Sequence, residues 1–328
     1  MITALCVALV PMEFPTCATL TNRGRFVKVL IVGAGATGGY FGLRLAQAGR
    51  DVTFLVRPKR AAALRERGLR LVGLGHEEVV TPQLVTAAEL DTQYDVVLLS
   101  VKATGLSQAM DDLAHAIGPT TVIVPFLNGM AHLDLLNERF GKEAVLGGVV
   151  KVVTSLNADG DIVQSAPLAT FELGEQEGGT SARTKELTAL LDVPGYEFAV
   201  NPAIVPAMWH KWVFIASVGA VTCLMGGTVG EVVAAGGSSF SRAVVAEAAA
   251  VSAAAGFPVP DVTPIETAVT QAGSSLTSSL YRDMTAGHST EGEQILGDLV
   301  DRALRHDLAT PLLNAARLRL RVHEQQRA

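Results

Sequence analysis

Lys211 is the residue of this chain whose type and neighbours best suit it to move a proton. It stands in Met208-Trp209-His210-Lys211-Trp212, where the most apolar stretch of the sequence opens. Burial between two tryptophans disfavours an ammonium, which brings a lysine's pKa toward neutrality and suits it to proton transfer. A lysine there can equally pack its stem and send its head to water, and both readings stay open. Glu291 follows Ser289-Thr290. The spacing Thr290-x-x-Glu293 fits a capping box, which places Glu291 in the first turn of a helix, where a carboxylate complements the dipole. Ser278 and Ser279 lie in SSLTSSLYRD and read as a polar helix face.

Such groups need a reaction partner, and the first part of the chain is built to hold one. VKVLIVGAGATGGYFG, residues 27–42, runs from a β-branched strand into Gly33-x-Gly35-x-x-Gly38. Gly33 permits the tight turn, Gly35 admits a pyrophosphate against the backbone, and Gly38 lets the next helix pack on the strand. Ala36 and Thr37 open that helix, and its first N–H groups and dipole point at the phosphates. This is a dinucleotide site. The second strand, Asp51–Val56, ends in Arg57 rather than in the carboxylate that selects NAD. A guanidinium binds a 2′-phosphate bidentately, so Arg57 points to NADP(H). Lys102, after Ser100-Val101, falls at the carboxyl edge of the sheet and either joins Arg57 on that phosphate or is an ordinary exposed lysine.

Strand and helix patterns alternate through the first half, the signature of a Rossmann-type doubly wound parallel sheet in an α/β fold. Pro58–Arg67 reads as a helix, residues 69–72 and 79–85 as short extended segments, and residues 94–101 and 121–127 as buried strands. An amphipathic helix is expected near residues 106–117. Residues 144–154 and 170–173 are expected to finish the sheet, with a crossover helix after the loop 174–181. Only helical patterns follow Asn201-Pro202: residues 239–255, 290–306 and 311–322. The organisation read from this is a disordered extension over residues 1–26, such as an upstream start codon would append, an NADP-binding domain over 27–201 and an all-helical catalytic domain over 202–328.

The chain has 328 residues, 49% of them hydrophobic and 18% charged, with a net charge of −6. No basic block suggests nucleic acid. The N-terminal apolar run lacks a positive n-region and a cleavage site, and residues 212–225 are shorter than the roughly 18–20 needed to span a bilayer, so no membrane partner is expected. Cys6 and Cys17 precede the first strand, leaving Cys223 alone in the folded body; this fits a reducing cytoplasm. No group of residues suggests a metal site. Apolar helices with few charges fit a homodimer and ordinary core packing equally well.

Taken together, these residues resemble the ketopantoate reductase (2-dehydropantoate 2-reductase) family. The resemblance rests on the glycine turn, Arg57, Ser100-Val101-Lys102, Leu127-Asn128-Gly129-Met130, Trp209-His210-Lys211, and Ser278-Ser279-x-x-x-Asp283 followed by His288-x-x-Glu291, all in the family's order. It implies NADPH-dependent reduction of ketopantoate to pantoate, on the way to pantothenate and coenzyme A. It further implies that Lys211 is the proton donor and Glu291 its orienting carboxylate. Asn128 would bind cofactor and substrate, and Ser279 the substrate carboxylate. The chain departs from the family where asparagines are common: Ile215, Gly219 and Leu296 stand there instead. That implies a more apolar pocket and, as alternatives, a more apolar 2-oxo acid or carbonyl substrate, or a non-catalytic NADP(H) sensor.

Overall fold

The computed structural model describes residues 21–22 and 25–327, with side chains from Val27 onward. The reading of residues 1–26 as an extension falls largely outside the described residues; Thr21–Asn22 and Arg25–Phe26 form a two-residue antiparallel pair.

The glycine turn joins β1 (Lys28–Val32) to α1 (Ala36–Gln47), and β2 (Asp51–Leu55) and α2 (Pro58–Arg67) follow. Next come β3 (Leu69–Gly73), β4 (His76–Val80), β5 (Gln83–Val85) and β6 (Tyr94–Leu99). A parallel sheet forms in the order β5-β2-β1-β6-β7, where β7 is Ile117–Pro125. Its three central strands, β2, β1 and β6, end flush: Val32 pairs with Leu55 on one side and with Leu99 on the other. The uninterrupted apolar runs of β1 and β6 suit strands covered on both faces.

Two expectations need correction here. The helix expected over residues 106–117 is only α3 (Leu106–Asp112) and a short 3₁₀ turn, and the chain is extended again from Ile117. Pro119 explains this: it has no N–H for a helix and biases Gly118 toward extended backbone. Residues 144–154 and 170–173 do not finish the parallel sheet. They belong to β8 (Gly147–Leu156) and β9 (Ile162–Gly174), an antiparallel pair in a second sheet with β3, β4 and β10 (Glu197–Val200). An isolated bridge between Ile123 and Val145 ties that stretch to the first sheet. Helix α1 lies between the two sheets, because its glycines admit both. A Cβ on Gly42 would meet the Phe54 ring at 2.5 Å, and one on Gly39 would meet Ile162 at 2.6 Å.

Helix α4 (Ala131–Phe140) follows β7, and α5 (Ala182–Leu191), with Ser181 as its N-cap, leads into β10. From residue 204 the described chain is helical: α6 (Ile204–Met225), α7 (Val229–Ala234), α8 (Ser238–Ala254), α9 (Thr263–Val269), α10 (Ser279–Thr285), α11 (Asp298–Arg305) and α12 (Pro311–Arg327). The apolar helix is longer than expected, 22 residues rather than a run from Trp212, and by length and composition alone it could cross a membrane. It is mostly buried, with α8, α10 and α12 packed around it, which is the position of a core helix.

Candidate active site

At the head of α1 the backbone is arranged for an anion. Gly33 has φ +98°, and a Cβ there would stand 2.7 Å from the Ser100 carbonyl; one on Gly38 would stand 2.4 Å from the Gly33 carbonyl. A Cβ on Gly35 would meet nothing within 4 Å, so this side of the turn is bare. No side chain caps α1 and no acid lies in its first turn, so the N–H groups around Ala36 and Thr37 keep their capacity for a phosphate. These features fit a dinucleotide pyrophosphate.

Arg57 is exposed at the N-cap of α2, its guanidinium beside Gly105, with no hydrogen bond or ion pair among the described residues. Arg60, which the sequence reading passed over, donates from Nε and Nη2 to the Ala34 carbonyl at 3.2 and 3.0 Å, placing a second guanidinium against the glycine turn. Lys102 goes elsewhere. Its Nζ pairs with Asp283 of α10 at 3.0 Å and approaches the Ser289 carbonyl at 3.5 Å, so it bridges to the helical part of the chain instead of joining Arg57.

The catalytic candidates gather where three backbone segments meet. Asn128 leaves β7 in a turn through Gly129, whose φ is +77°; a Cβ on Gly129 would stand 2.6 Å from the Gln294 carbonyl. That carbonyl lies in a π-helical turn, Glu293–Gly297, inserted just after Glu291. Such turns free backbone groups from the helical ladder, and here Trp212 donates its indole N–H to the Ile295 carbonyl at 2.8 Å. Lys211 is thereby held beside both segments. Lys211, Asn128, Gly129, Trp212 and Ile215 line one small cavity of about 10 Å³ with Leu127, Val149 and Met208, the room of about one water molecule. Burial, with Lys151 adding repulsion, pushes the Lys211 pKa down to about 8, while Glu291 draws it up.

Glu291 acts on Lys211 through space, for no hydrogen bond or ion pair joins the two. Its Oε1 accepts from the Ala103 N–H at 3.0 Å, on the loop that carries Lys102. The expected capping box does not form. Glu293 turns to Arg317 and Arg321, and the Thr290 N–H and hydroxyl donate to Glu324 of α12 at 2.7 and 2.9 Å. Nor is SSLTSSLYRD a helix throughout. Ser278 is the buried N-cap of α10, its Oγ accepting from the Tyr281 N–H at 2.9 Å and bonded to the Thr222 hydroxyl. Ser279 is exposed at the first position and does not line the cavity. Of the three departures, Ile215 lines the cavity. Gly219 faces Leu280, and Leu296 is fully buried in the core.

Two family models cover this arrangement end to end: the ketopantoate reductase PanE/ApbA model over residues 29–178 and its C-terminal counterpart over residues 203–322. The chain belongs to the ketopantoate reductase family. It is therefore an oxidoreductase of the 2-dehydropantoate 2-reductase kind, using a nicotinamide cofactor and a small keto acid. It is 34% identical over 304 residues to the uncharacterized oxidoreductase YkpB of Bacillus subtilis, covering 92% of this chain and 100% of that protein. It is 27% identical to the 2-dehydropantoate 2-reductase of Mesorhizobium japonicum, over 88% of this chain and 95% of the relative. The crystal structure of 2-dehydropantoate 2-reductase from Methylococcus capsulatus superimposes with a TM-score of 0.80 at 27% identity, over 92% and 98% of the two chains. A D-mandelate dehydrogenase shares the fold at 22% identity and a TM-score of 0.83, over 92% and 99%.

Proposed function

We propose that this family member reduces the ketone of 2-dehydropantoate to the alcohol of pantoate with NADPH, taking the proton from Lys211. The observation that carries the reading is the Lys211 ammonium on the wall of a cavity at the carboxyl edge of the parallel sheet, its pKa pushed down to about 8. A bound nicotinamide supplies the hydride. Gly33, Gly35, Ala36, Thr37 and Gly38 would hold the pyrophosphate, and the unengaged Arg57 guanidinium the 2′-phosphate that distinguishes NADPH. At neutral pH most of Lys211 still carries its proton. Its charge stabilises the oxygen as an alkoxide develops, and its depressed pKa eases delivery of the proton. Asn128, which lines the same cavity, orients the ketone. Glu291, anchored on Ala103, favours the ammonium form, and the helices exclude water.

A second reading has its own support. Leu127, Val149, Met208, Trp212 and Ile215 make the cavity walls, and the side chains of Lys211 and Asn128 are the polar ones among them. The hydroxyl of 2-dehydropantoate would lack a partner there, and sites discriminate most strongly through the polar groups they must satisfy. This favours a 2-oxo acid with an apolar side chain. Initial rates with NADPH and NADH, on 2-dehydropantoate and on an isosteric acid lacking the hydroxyl, separate the possibilities. Higher kcat/KM for 2-dehydropantoate with NADPH is the expected result. Higher kcat/KM for the apolar acid moves the assignment to the second reading, equal use of NADH removes the role of Arg57, and tight NADPH binding without turnover leaves a sensor.

A further inference from the structure

One buried polar side chain beside the site has no task in this mechanism. His132 is the second residue of α4, one helical turn beyond Asn128, and is 3% exposed. Neither ring nitrogen makes a hydrogen bond. The Asn128 backbone lies near enough to favour the imidazole's proton, without the alignment of a bond. Buried polar atoms left unpaired are costly and uncommon, and each calls for a physical reason.

The charged groups around it supply one. Burial first of all keeps the His132 imidazole neutral, its pKa held down to about 3, and the charges of Lys211 on α6 and Arg302 on α11 add to this. Arg302 is already engaged: it bonds Asp298 at 3.1 Å and Asp134 at 2.9 Å and lies over the Trp209 and Trp212 rings. The Lys211 ammonium, which also feels Lys151 of β8 and Glu291, makes no hydrogen bond or ion pair among the described residues. Asn128, one turn before His132, lines the same small cavity as Lys211, so an acceptor without a donor and a donor without an acceptor lie on either side of the Asn128 turn.

We propose that His132 is a positioning residue for Lys211, its neutral imidazole accepting a hydrogen bond from the ammonium directly or through one water. The other ring nitrogen then donates to the Asn128 carbonyl, so one imidazole fixes both polar groups of the cavity. The proposal rests on Lys211 being the proton donor. A bond accepted from the ammonium favours the charged form. Losing it lowers the lysine's pKa and moves the alkaline fall in kcat to lower pH.

His132→Phe is expected to lower kcat about 10- to 100-fold, the worth of a hydrogen bond to a charged group. The alkaline limb should move down by about one pH unit, with NADPH affinity unchanged. His132→Gln keeps a donor and an acceptor and should restore the limb and most of the rate. An unmoved limb in the Phe variant, or a Gln variant as slow as Phe, makes His132 a packing residue and overturns the proposal. Should the Phe variant not fold, nitrogen-15 spectra of the histidine-labelled native protein decide. The acceptor nitrogen should shift as Lys211 titrates, and not in Lys211→Met; a signal indifferent to that titration also overturns it. A native protein inactive on every 2-oxo acid would instead remove the donor role of Lys211, and the same spectra would still decide the bond.

Discussion

Lys211 sits in surroundings that disfavour its own charge, and that has a measurable price in stability. With its pKa near 8 in the folded protein against 10.5 when unperturbed, the folded state binds fewer protons than the unfolded one between those values. Stability attributable to this residue therefore rises with pH across that window and is lowest below it. Lys211→Met should be more stable than the native protein at pH 7, and this advantage should shrink by about 3 kcal/mol as pH rises from 8 to 10.5. Parallel urea titrations of the two proteins check it. The same variant should lose kcat by about 10²- to 10⁴-fold, as expected on removal of a general acid, with NADPH binding intact by fluorescence. A lysine packed only by its stem, the other reading open from sequence, would show neither effect. Lys211 was legible because two flanking tryptophans announce burial within five residues. His132 was not, since a single histidine in an ordinary helix start says nothing of the lysine almost eighty positions later.

The Asn128–Gly129 turn, the π turn after Glu291 and helix α6 form one unit, and Gly129 is where they touch. Gly129→Ala places a Cβ within 2.6 Å of the Gln294 carbonyl and demands a positive φ of a non-glycine residue. Together these should destabilise the fold by at least about 2 kcal/mol. They should also lower kcat through the displaced Asn128 and weaken NADPH binding much less, because the glycine turn at Gly33 lies on a different strand. Urea unfolding and a fluorescence titration of the variant test both halves. The strand, glycine turn and helix around residue 33 were readable because their signals are local: a β-branched run, spaced glycines, then helical periodicity. The π turn was not, for it is set by Trp212 donating to Ile295 across 83 positions. The second sheet escaped for a related reason. Apolar runs such as Gly147–Leu156 announce strands, but only long-range pairing decides which sheet they join.

Two of the contacts between the parallel sheet and the helical part lie on one loop: the Lys102–Asp283 ion pair and the Ala103 N–H bonded to Glu291. The order of these parts along the chain could be read from the switch in periodicity after Asn201-Pro202. Their clasp could not, because Lys102 and Asp283 are 181 residues apart and each looks like an ordinary surface charge. The cavity beside this junction has room for about one water, so a keto acid needs its walls to separate, and a separation of the two parts along this loop would break the clasp. Lys102 is 58% exposed in its side chain, and such pairs are weak and readily screened by dissolved ions. Ionic strength thus becomes a control on access. At saturating cofactor, kcat/KM for the keto acid should rise with added sodium chloride, by no more than about fivefold given the worth of an exposed pair. Asp283→Asn should start at the higher value and ignore the salt. A kcat/KM indifferent to salt in both proteins would locate the slow step away from the opening of this clasp.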